Sequence, residues 1–197
     1  MQMIEKHQRK SIRLKEYDYS QPGNYFVTIC TQDHEYTFGK IIDSEMQLNN
    51  AGIVIKECWE KIPEHFKNVE LDSYIIMPNH FHGIITICEC DGRGEITLPL
   101  QGTLLRKPTL GNIVAYFKYQ TTKLINELYS TPGRKCWQRN YYDRIIRNEK
   151  ELNTIRDYIA NNIITWASNR ENPEEVPIFL EAISKTLEAS QAELVEA

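Results

Sequence analysis

Two histidines separated by one residue, His80 and His82, are the side chains of this sequence best suited to chemistry. They belong to an apolar run that is typical of a β-strand, in which residues two apart point to the same face. Their imidazoles would therefore project side by side, with Phe81 on the opposite, core-facing side. Two imidazoles can share one divalent cation if a third ligand comes from elsewhere. The pattern by itself is equally compatible with two exposed strand histidines that bind nothing.

A tyrosine is the second kind of side chain that could react, and eleven tyrosines compete for that role. Tyr158 and Asn162 lie four residues apart in a predicted helix, so a hydroxyl and an amide could meet one metal site. Tyr119 lies on another predicted helix, which is basic, and is the alternative nucleophile. From helical position alone, Tyr158 is also compatible with a packing residue and Asn162 with a surface amide.

The net charge of −4 conceals an uneven distribution along the chain. Residues 101–156 hold eleven Lys and Arg against four Asp and Glu, a net charge of +7, whereas residues 171–197 have a net charge of −6. A basic face indicates phosphate binding, although a solvated helix surface can have the same composition. We expect phosphate contacts from the basic residues and base stacking from the aromatic ones. The candidates are Lys118, Lys123, Arg139, Arg144 and Arg147 for phosphates, and Trp137, Tyr141 and Tyr142 for bases.

The elements that must position these residues follow from apolar periodicity and from turn and cap signals. The sequence predicts strands at 25–31, 36–42, 69–77, 80–88 and 137–146, and helices at 51–66, from Thr109 onward and at 149–169. Asn49 or Asn50 would cap the first helix, and Pro63 would end or bend it. This order predicts an α+β fold, a ferredoxin-like sandwich in which helices pack on one face of an antiparallel sheet.

Three segments are expected along the chain: a basic arm at 1–20, a catalytic domain at 21–172 and an acidic tail at 173–197, which has helix-forming composition. Residues 89–108, rich in Gly, Pro and charge, predict a loop. No apolar run approaches the roughly 18 residues that cross a membrane, and the N-terminus has no signal-peptide core, which predicts a cytoplasmic protein. Five irregularly spaced cysteines predict reduced thiols rather than disulfides.

Several blocks of the sequence together resemble a known family. Residues 71–83, LDSYIIMPNHFHG, resemble the His-hydrophobic-His (HUH) signature of the single-tyrosine transposases. Three further blocks resemble the REP-associated tyrosine transposases in particular: RKSIRL at 9–14, WQRNYYD at 137–143 and DYI at 157–159. The resemblance extends over about residues 9–172.

This resemblance implies an enzyme that cuts and rejoins single-stranded DNA. It implies that Tyr158 forms a covalent 5′-phosphotyrosine and that His80, His82 and Asn162 bind Mg²⁺ or Mn²⁺. The implied substrate is hairpin DNA with a single-stranded flank, and a homodimer is left open because relatives include dimers and monomers. Three alternatives stay open: a catalytically silent DNA- or RNA-binding protein, a replication-initiator or relaxase nickase, and a metal-dependent phosphoesterase that uses water.

Overall fold

A computed structural model describes residues 16–89 and 107–168 of the chain. Its strands are β1 (Gly23–Cys30), β2 (Gly39–Ile42), β3 (Glu45–Leu48), β4 (Val69–Ile76), β5 (His80–Ile87) and β6 (Tyr142–Ile146). Its helices are α1 (Asn50–Glu60), α2 (Ile62–His65), α3 (Leu110–Tyr129) and α4 (Glu149–Ser168). Most of the predicted basic arm at 1–20 and all of the predicted acidic tail at 173–197 lie outside the described residues.

Four strands form an antiparallel sheet in the order β4-β5-β1-β6, and β2 and β3 form a separate hairpin. Helix α1 precedes β4 and helix α3 precedes β6, so the core has the β-α-β-β-α-β order of a ferredoxin-like fold. The predicted α+β fold class is confirmed. Strands β1 and β5 are central in the sheet, and Thr28 pairs with His82 while Cys30 pairs with His80.

The side chains of β1 alternate between two buried faces of the sheet. Tyr25, Val27 and Ile29 belong to the core that includes α1 and α3, whereas Phe26 packs with Ile155 of α4. The expectation that helices cover one face only is therefore wrong, because α4 covers the other face. The physical reason is that both alternating sets of strand residues include apolar side chains, which must be removed from water on both sides.

The predicted second strand at 36–42 is in fact part of a hairpin. Its second half is β2, which pairs with β3 across a two-residue turn at Asp43 and Ser44. Both turn residues have positive φ, 51° and 61°, which is typical of the type I′ turn that suits the twist of paired strands. The predicted helix over 51–66 is divided at Lys61, and Pro63 lies in the first turn of α2, where its missing N–H has no cost.

The predicted strand over 137–146 is shorter than expected, because only Tyr142–Ile146 joins the sheet as β6. The segment before it is held by a side chain of α3 instead. The ammonium of Lys118 donates hydrogen bonds to the carbonyl oxygens of Gln138 at 2.6 Å and Arg139 at 3.1 Å. Residue 137 itself forms only an isolated bridge, with Thr31.

The predicted helix caps are confirmed. The side chain of Asn49 accepts from the backbone N–H of Gly52 at the start of α1. Thr109 and Asn112 form a reciprocal capping box at the start of α3. No helix within the described ranges combines the length and apolarity that a membrane crossing requires.

Candidate functional site

The two histidines of β5 lie next to each other under α4, with ring centroids 4.6 Å apart. His80 is 5% exposed and His82 is 0% exposed. Each ring is held through its Nδ1 atom: that of His80 lies 2.7 Å from Oδ1 of Asn79, and that of His82 lies 2.8 Å from Oγ1 of Thr28. Contacts of this kind fix the orientation of an imidazole and leave its Nε2 atom to bind something else.

Burial also sets the charge of the two rings. It lowers the pKa of His80 to about 3, with a smaller contribution from His34, and it lowers the pKa of His82 well below the usual value. Both imidazoles are therefore neutral at neutral pH, because a low-dielectric environment disfavours the charged form. The neutral imidazole is the form that binds metal ions.

Helix α4 brings Tyr158 and Asn162 to these histidines. The hydroxyl oxygen of Tyr158 lies 3.2 Å from Nε2 of His82, and the side chain of Asn162 is hydrogen-bonded to both His80 and Tyr158. Burial raises the pKa of Tyr158 to about 12, and the hydrogen bond with Asn162 acts in the opposite direction. The four residues that the sequence predicts for one site thus form one connected cluster, and the phenol is protonated at neutral pH.

The described part of the chain has no group of three His, Cys, Asp or Glu side chains able to hold a metal ion. A metal at this place would need the amide oxygen of Asn162 as its third protein ligand. An arrangement of two imidazoles and one amide leaves the remaining coordination positions to water or to substrate oxygens.

Two ion pairs dock α4 against the sheet. The guanidinium of Arg156 contacts both carboxylate oxygens of Asp72 on β4, at 2.6 Å from Nη2 and 3.1 Å from Nε. Arg144 of β6 donates to Glu151, which is 3% exposed and also accepts the backbone N–H of Arg147. Arg144, which the sequence suggested as a phosphate contact, therefore also holds α4 against the sheet.

Two of the basic candidates, Lys118 on α3 and Arg139, border a shallow surface groove of about 390 Å³, and Lys123 does not line it. Its lining includes four cationic side chains and no acidic one among the described residues, although Arg134 in this set forms an ion pair with Glu35, with 2.6 Å between Nη2 and Oε2. The four cationic residues are Lys118, Arg134, Lys135 and Arg139. Burial lowers the pKa of Lys118 to about 8, and its ammonium is engaged with backbone carbonyls, so Lys118 shapes the wall of the groove rather than offering a free charge.

The remaining DNA-binding candidates differ in accessibility. Lys123, Arg139 and Arg147 are exposed, which suits phosphate contacts, although they lie on different elements. Tyr141 is half-buried against the core. Tyr142, which opens β6, is also half-buried.

Trp137 does not fit the base-stacking role that the sequence suggested. It is 5% exposed, its indole Nε1 donates to Oγ1 of Thr121 at 2.9 Å, and its ring packs against Phe38 and Phe117. A ring enclosed in this way has no free face for a base. Trp137 is therefore a core residue and not a base-stacking one.

Sequence reasoning missed three kinds of residue around the site. Thr28 and Asn79 support the histidine rings, and no local pattern identifies them. His34 lies in a turn with φ of 54°, a left-handed value, and its Nε2 lies 2.9 Å from Nε2 of Gln138. Trp166 follows Asn162 by four residues, and this spacing on a predicted helix was a usable signal.

Comparisons with known proteins bear on the identity of the chain. No protein-family model matches it. It is 45% identical over 170 residues to an uncharacterized protein of Haemophilus influenzae, covering 83% of this chain and 93% of that protein. It is 24% identical over 155 residues to a putative REP-associated tyrosine transposase of the same species, covering 74% of this chain and 72% of that protein.

A solved structure of a REP-associated tyrosine transposase bound to a REP hairpin has the same fold. The TM-score is 0.53 at 18% sequence identity, and the match covers 78% of this chain and 73% of that chain. The resemblance found in the sequence is thereby confirmed: this chain belongs to one family with the uncharacterized Haemophilus influenzae protein and is related to the REP-associated tyrosine transposases.

Proposed function

We propose that this protein is a transposase-like enzyme that cleaves single-stranded DNA through a covalent 5′-phosphotyrosine at Tyr158. The observation that carries the proposal is the 3.2 Å approach of the Tyr158 hydroxyl to Nε2 of His82, within a cluster that also contains His80 and Asn162. A tyrosine that served packing alone would have no need of three polar neighbours on a buried face. The relationship to tyrosine transposases supports the same reading.

We propose that His80, His82 and Asn162 hold a divalent cation, Mg²⁺ or Mn²⁺, with water and substrate oxygens as its other ligands. Two observations support this part of the proposal: both imidazoles are neutral, and both have their Nδ1 atoms occupied by Asn79 and Thr28. When bound, such an ion would neutralise charge on a non-bridging phosphate oxygen and help to orient the phosphate for attack.

The proposed reaction is a transesterification. The Tyr158 oxygen forms a bond to phosphorus, and the bond between phosphorus and the 3′ oxygen of the preceding nucleotide breaks. The phenol loses its proton to solvent, and the departing 3′ oxygen takes up a proton. The bond energy is kept in the phosphotyrosine, so a 3′-hydroxyl can reverse the step on another strand. The hydrogen bond from Asn162 assists, because it lowers the pKa of a phenol that burial holds near 12.

We propose hairpin DNA with a single-stranded flank as the substrate. The related transposase of known structure is bound to a REP hairpin, which motivates this choice. The exposed side chains of Lys123 and Arg139 would contact the phosphates, and Arg139 also lines the basic groove.

The test is the formation of a covalent protein–DNA adduct. The wild-type chain is incubated with 5′- and 3′-labelled hairpin DNA and Mn²⁺ and then separated on a denaturing gel. We expect an adduct that carries the label of the 3′-side fragment, and we expect Tyr158→Phe to abolish it. Tyr119→Phe removes the alternative nucleophile and should still form the adduct.

Each alternative function predicts a different result in this experiment. A phosphoesterase would cleave without an adduct, and a silent binding protein would shift the DNA on a native gel but leave it intact. A replication-initiator or relaxase nickase would form the adduct without needing the hairpin. An adduct that survives in Tyr158→Phe would contradict the assignment of the nucleophile.

A further inference from the structure

One face of α4 continues beyond the reactive tyrosine. Tyr158, Asn162 and Trp166 follow each other at intervals of four residues and therefore lie in a row along the helix. The ring centroid of Trp166 lies 5.4 Å from that of His80, at an interplanar angle of 46°. The tryptophan is half-buried, so part of its ring faces His80 and part remains accessible.

A second aromatic ring completes this feature. The centroid of Tyr36 lies 5.9 Å from that of Trp166, and Tyr36 is 66% exposed. The backbone on either side of Tyr36 is fixed, because Thr31 Oγ1 donates to the carbonyl of Glu35 and Phe38 N–H donates to the carbonyl of Pro78. Tyr36 is thus an exposed ring on an anchored segment, next to the site and not inside the core.

We propose that Trp166 and Tyr36 form a stacking subsite for one unpaired base adjacent to the phosphate that Tyr158 attacks. This inference rests on the proposed function, and it adds which part of the substrate the site recognises. Aromatic side chains stack on any base, so the subsite selects unpaired over duplex DNA rather than one base over another. A base in a duplex has both faces covered by its neighbours, and only an unstacked nucleotide has a face to offer.

The position of the subsite favours this occupant. His80 contacts Trp166 and is hydrogen-bonded to Asn162, so a base stacked on Trp166 would lie on the face of α4 that carries Tyr158, about 12 Å away along the helix. Gln138 contacts His34 and also lines the basic groove beside α3. The site and the basic groove are thereby neighbours through Gln138, and a strand of alternating phosphates and bases fits both.

The test uses tryptophan fluorescence as its readout. The chain has three tryptophans, of which Trp59 is 0% exposed and Trp137 is 5% exposed, so quenching by DNA reports chiefly on Trp166. The full-length Tyr158→Phe protein is titrated with an oligonucleotide of unpaired thymidines, with an abasic oligonucleotide of the same length and charge, and with a duplex. We expect quenching by the thymidine strand alone, and tighter binding of that strand than of the abasic one by about 5- to 150-fold.

Variants then assign the preference to the subsite. Trp166→Ala should bind the thymidine and abasic strands equally, and Trp166→Phe should restore part of the preference because it keeps an aromatic face. Tyr129→Ala is the matched control, since Tyr129 is also an exposed aromatic, 46% exposed, but lies at the end of α3. It should keep the full preference. The abasic comparison is made on one folded protein, so it remains informative even if a variant fails to fold.

The experiments distinguish failure of the stacking subsite from failure of the proposed cleavage. Equal binding of the thymidine and abasic strands by the Tyr158→Phe protein, or an unchanged preference in Trp166→Ala, overturns the subsite even if the wild-type protein forms its covalent adduct. Absence of the adduct, together with a preference that depends on Trp166, overturns the proposed cleavage and leaves the stacking subsite supported. If the wild-type protein neither binds single strands nor forms an adduct, both proposals are contradicted.

Discussion

The hydroxyl oxygen of Tyr158 lies 3.2 Å from Nε2 of His82, although 76 positions separate the two residues in the chain. One belongs to α4 and the other to the central strand β5. What joins them is the packing of Phe26, Ile84 and Ile155 between helix and sheet. The geometry of the site therefore depends on whatever holds α4 in place, including contacts that lie outside the site.

The ion pair between Arg156 and Asp72 is such a contact, and it has a predictable dependence on pH. The hydrogen bond from Arg156 is the main reason why the pKa of Asp72 lies below its ordinary value of 3.8. Because the folded-state pKa is the lower one, the stabilisation is present above the unfolded-state pKa and is lost as the pH falls through the folded-state pKa. Asp72→Asn should lower the free energy of unfolding by about 1 kcal/mol at neutral pH, since the pair is partly exposed.

Urea unfolding of the wild-type protein and of Asp72→Asn at neutral and at strongly acidic pH measures this effect. The difference in unfolding free energy between the two proteins should shrink toward zero as Asp72 becomes protonated in the wild type. Arg156→Lys is a matched control that keeps the charge but loses the two-oxygen contact, and it should recover only part of the stability. A difference that does not change with pH would contradict the role assigned to Asp72.

The hydroxyl of Thr28 positions His82 and is predicted to affect cleavage without contacting DNA. Thr28→Val removes the partner of the His82 Nδ1 atom at almost constant volume. By analogy with other supporting contacts of metal-binding histidines, we expect the Mn²⁺ concentration for half-maximal adduct formation to rise about 10- to 100-fold. Thr28→Ser keeps the hydroxyl and should behave like the wild type. An unchanged Mn²⁺ dependence in Thr28→Val would show that this contact does not tune the site.

Trp137 is expected to matter for stability and not for DNA binding. Its indole N–H donates to Thr121, a residue that is 0% exposed. Thr121→Val would leave this buried donor without its partner and should lower the free energy of unfolding by about 1–3 kcal/mol. Affinity for single-stranded DNA should stay within about twofold of wild type, whereas Arg139→Ala, which removes an exposed charge, should weaken binding at low salt. A large loss of DNA affinity in Thr121→Val would return Trp137 to the binding surface.

Local sequence patterns predicted much of the fold because the relevant forces act over short distances. Alternating residues defined β5 and aligned His80 with His82, and hydrogen-bonding side chains at Asn49 and Thr109 marked the helix starts. The second face of the sheet was missed because periodicity shows which residues are buried but not which helix covers them. The late start of β6 at Tyr142 was missed because the segment before it is held by Lys118, a side chain 20 or more positions earlier in the chain, and such a contact leaves no local pattern.

The candidate site was predicted to a similar degree and for similar reasons. The spacing of Tyr158 and Asn162 on one helix was readable, and their meeting with β5 followed from family resemblance and not from any local rule. Thr28 supports His82 through the register of β1 against β5, which no local pattern reveals, whereas Asn79 supports the ring of the next residue, His80. Trp137 was assigned to DNA because aromatic residues in a basic segment have the same composition whether they are exposed or buried.

The central claim is that Tyr158 attacks the DNA phosphate, and peptide mapping of the adduct tests it most directly. Trypsin cuts after Arg156 and Arg170, and the resulting peptide 157–170 contains one tyrosine, Tyr158; the alternative nucleophile Tyr119 falls in the peptide 119–123. After incubation with hairpin DNA and Mn²⁺ followed by nuclease digestion, we predict by mass spectrometry a nucleotide mass on peptide 157–170, with peptide 119–123 unmodified. A nucleotide on any other peptide, or cleaved DNA with peptide 157–170 unmodified, would contradict the account.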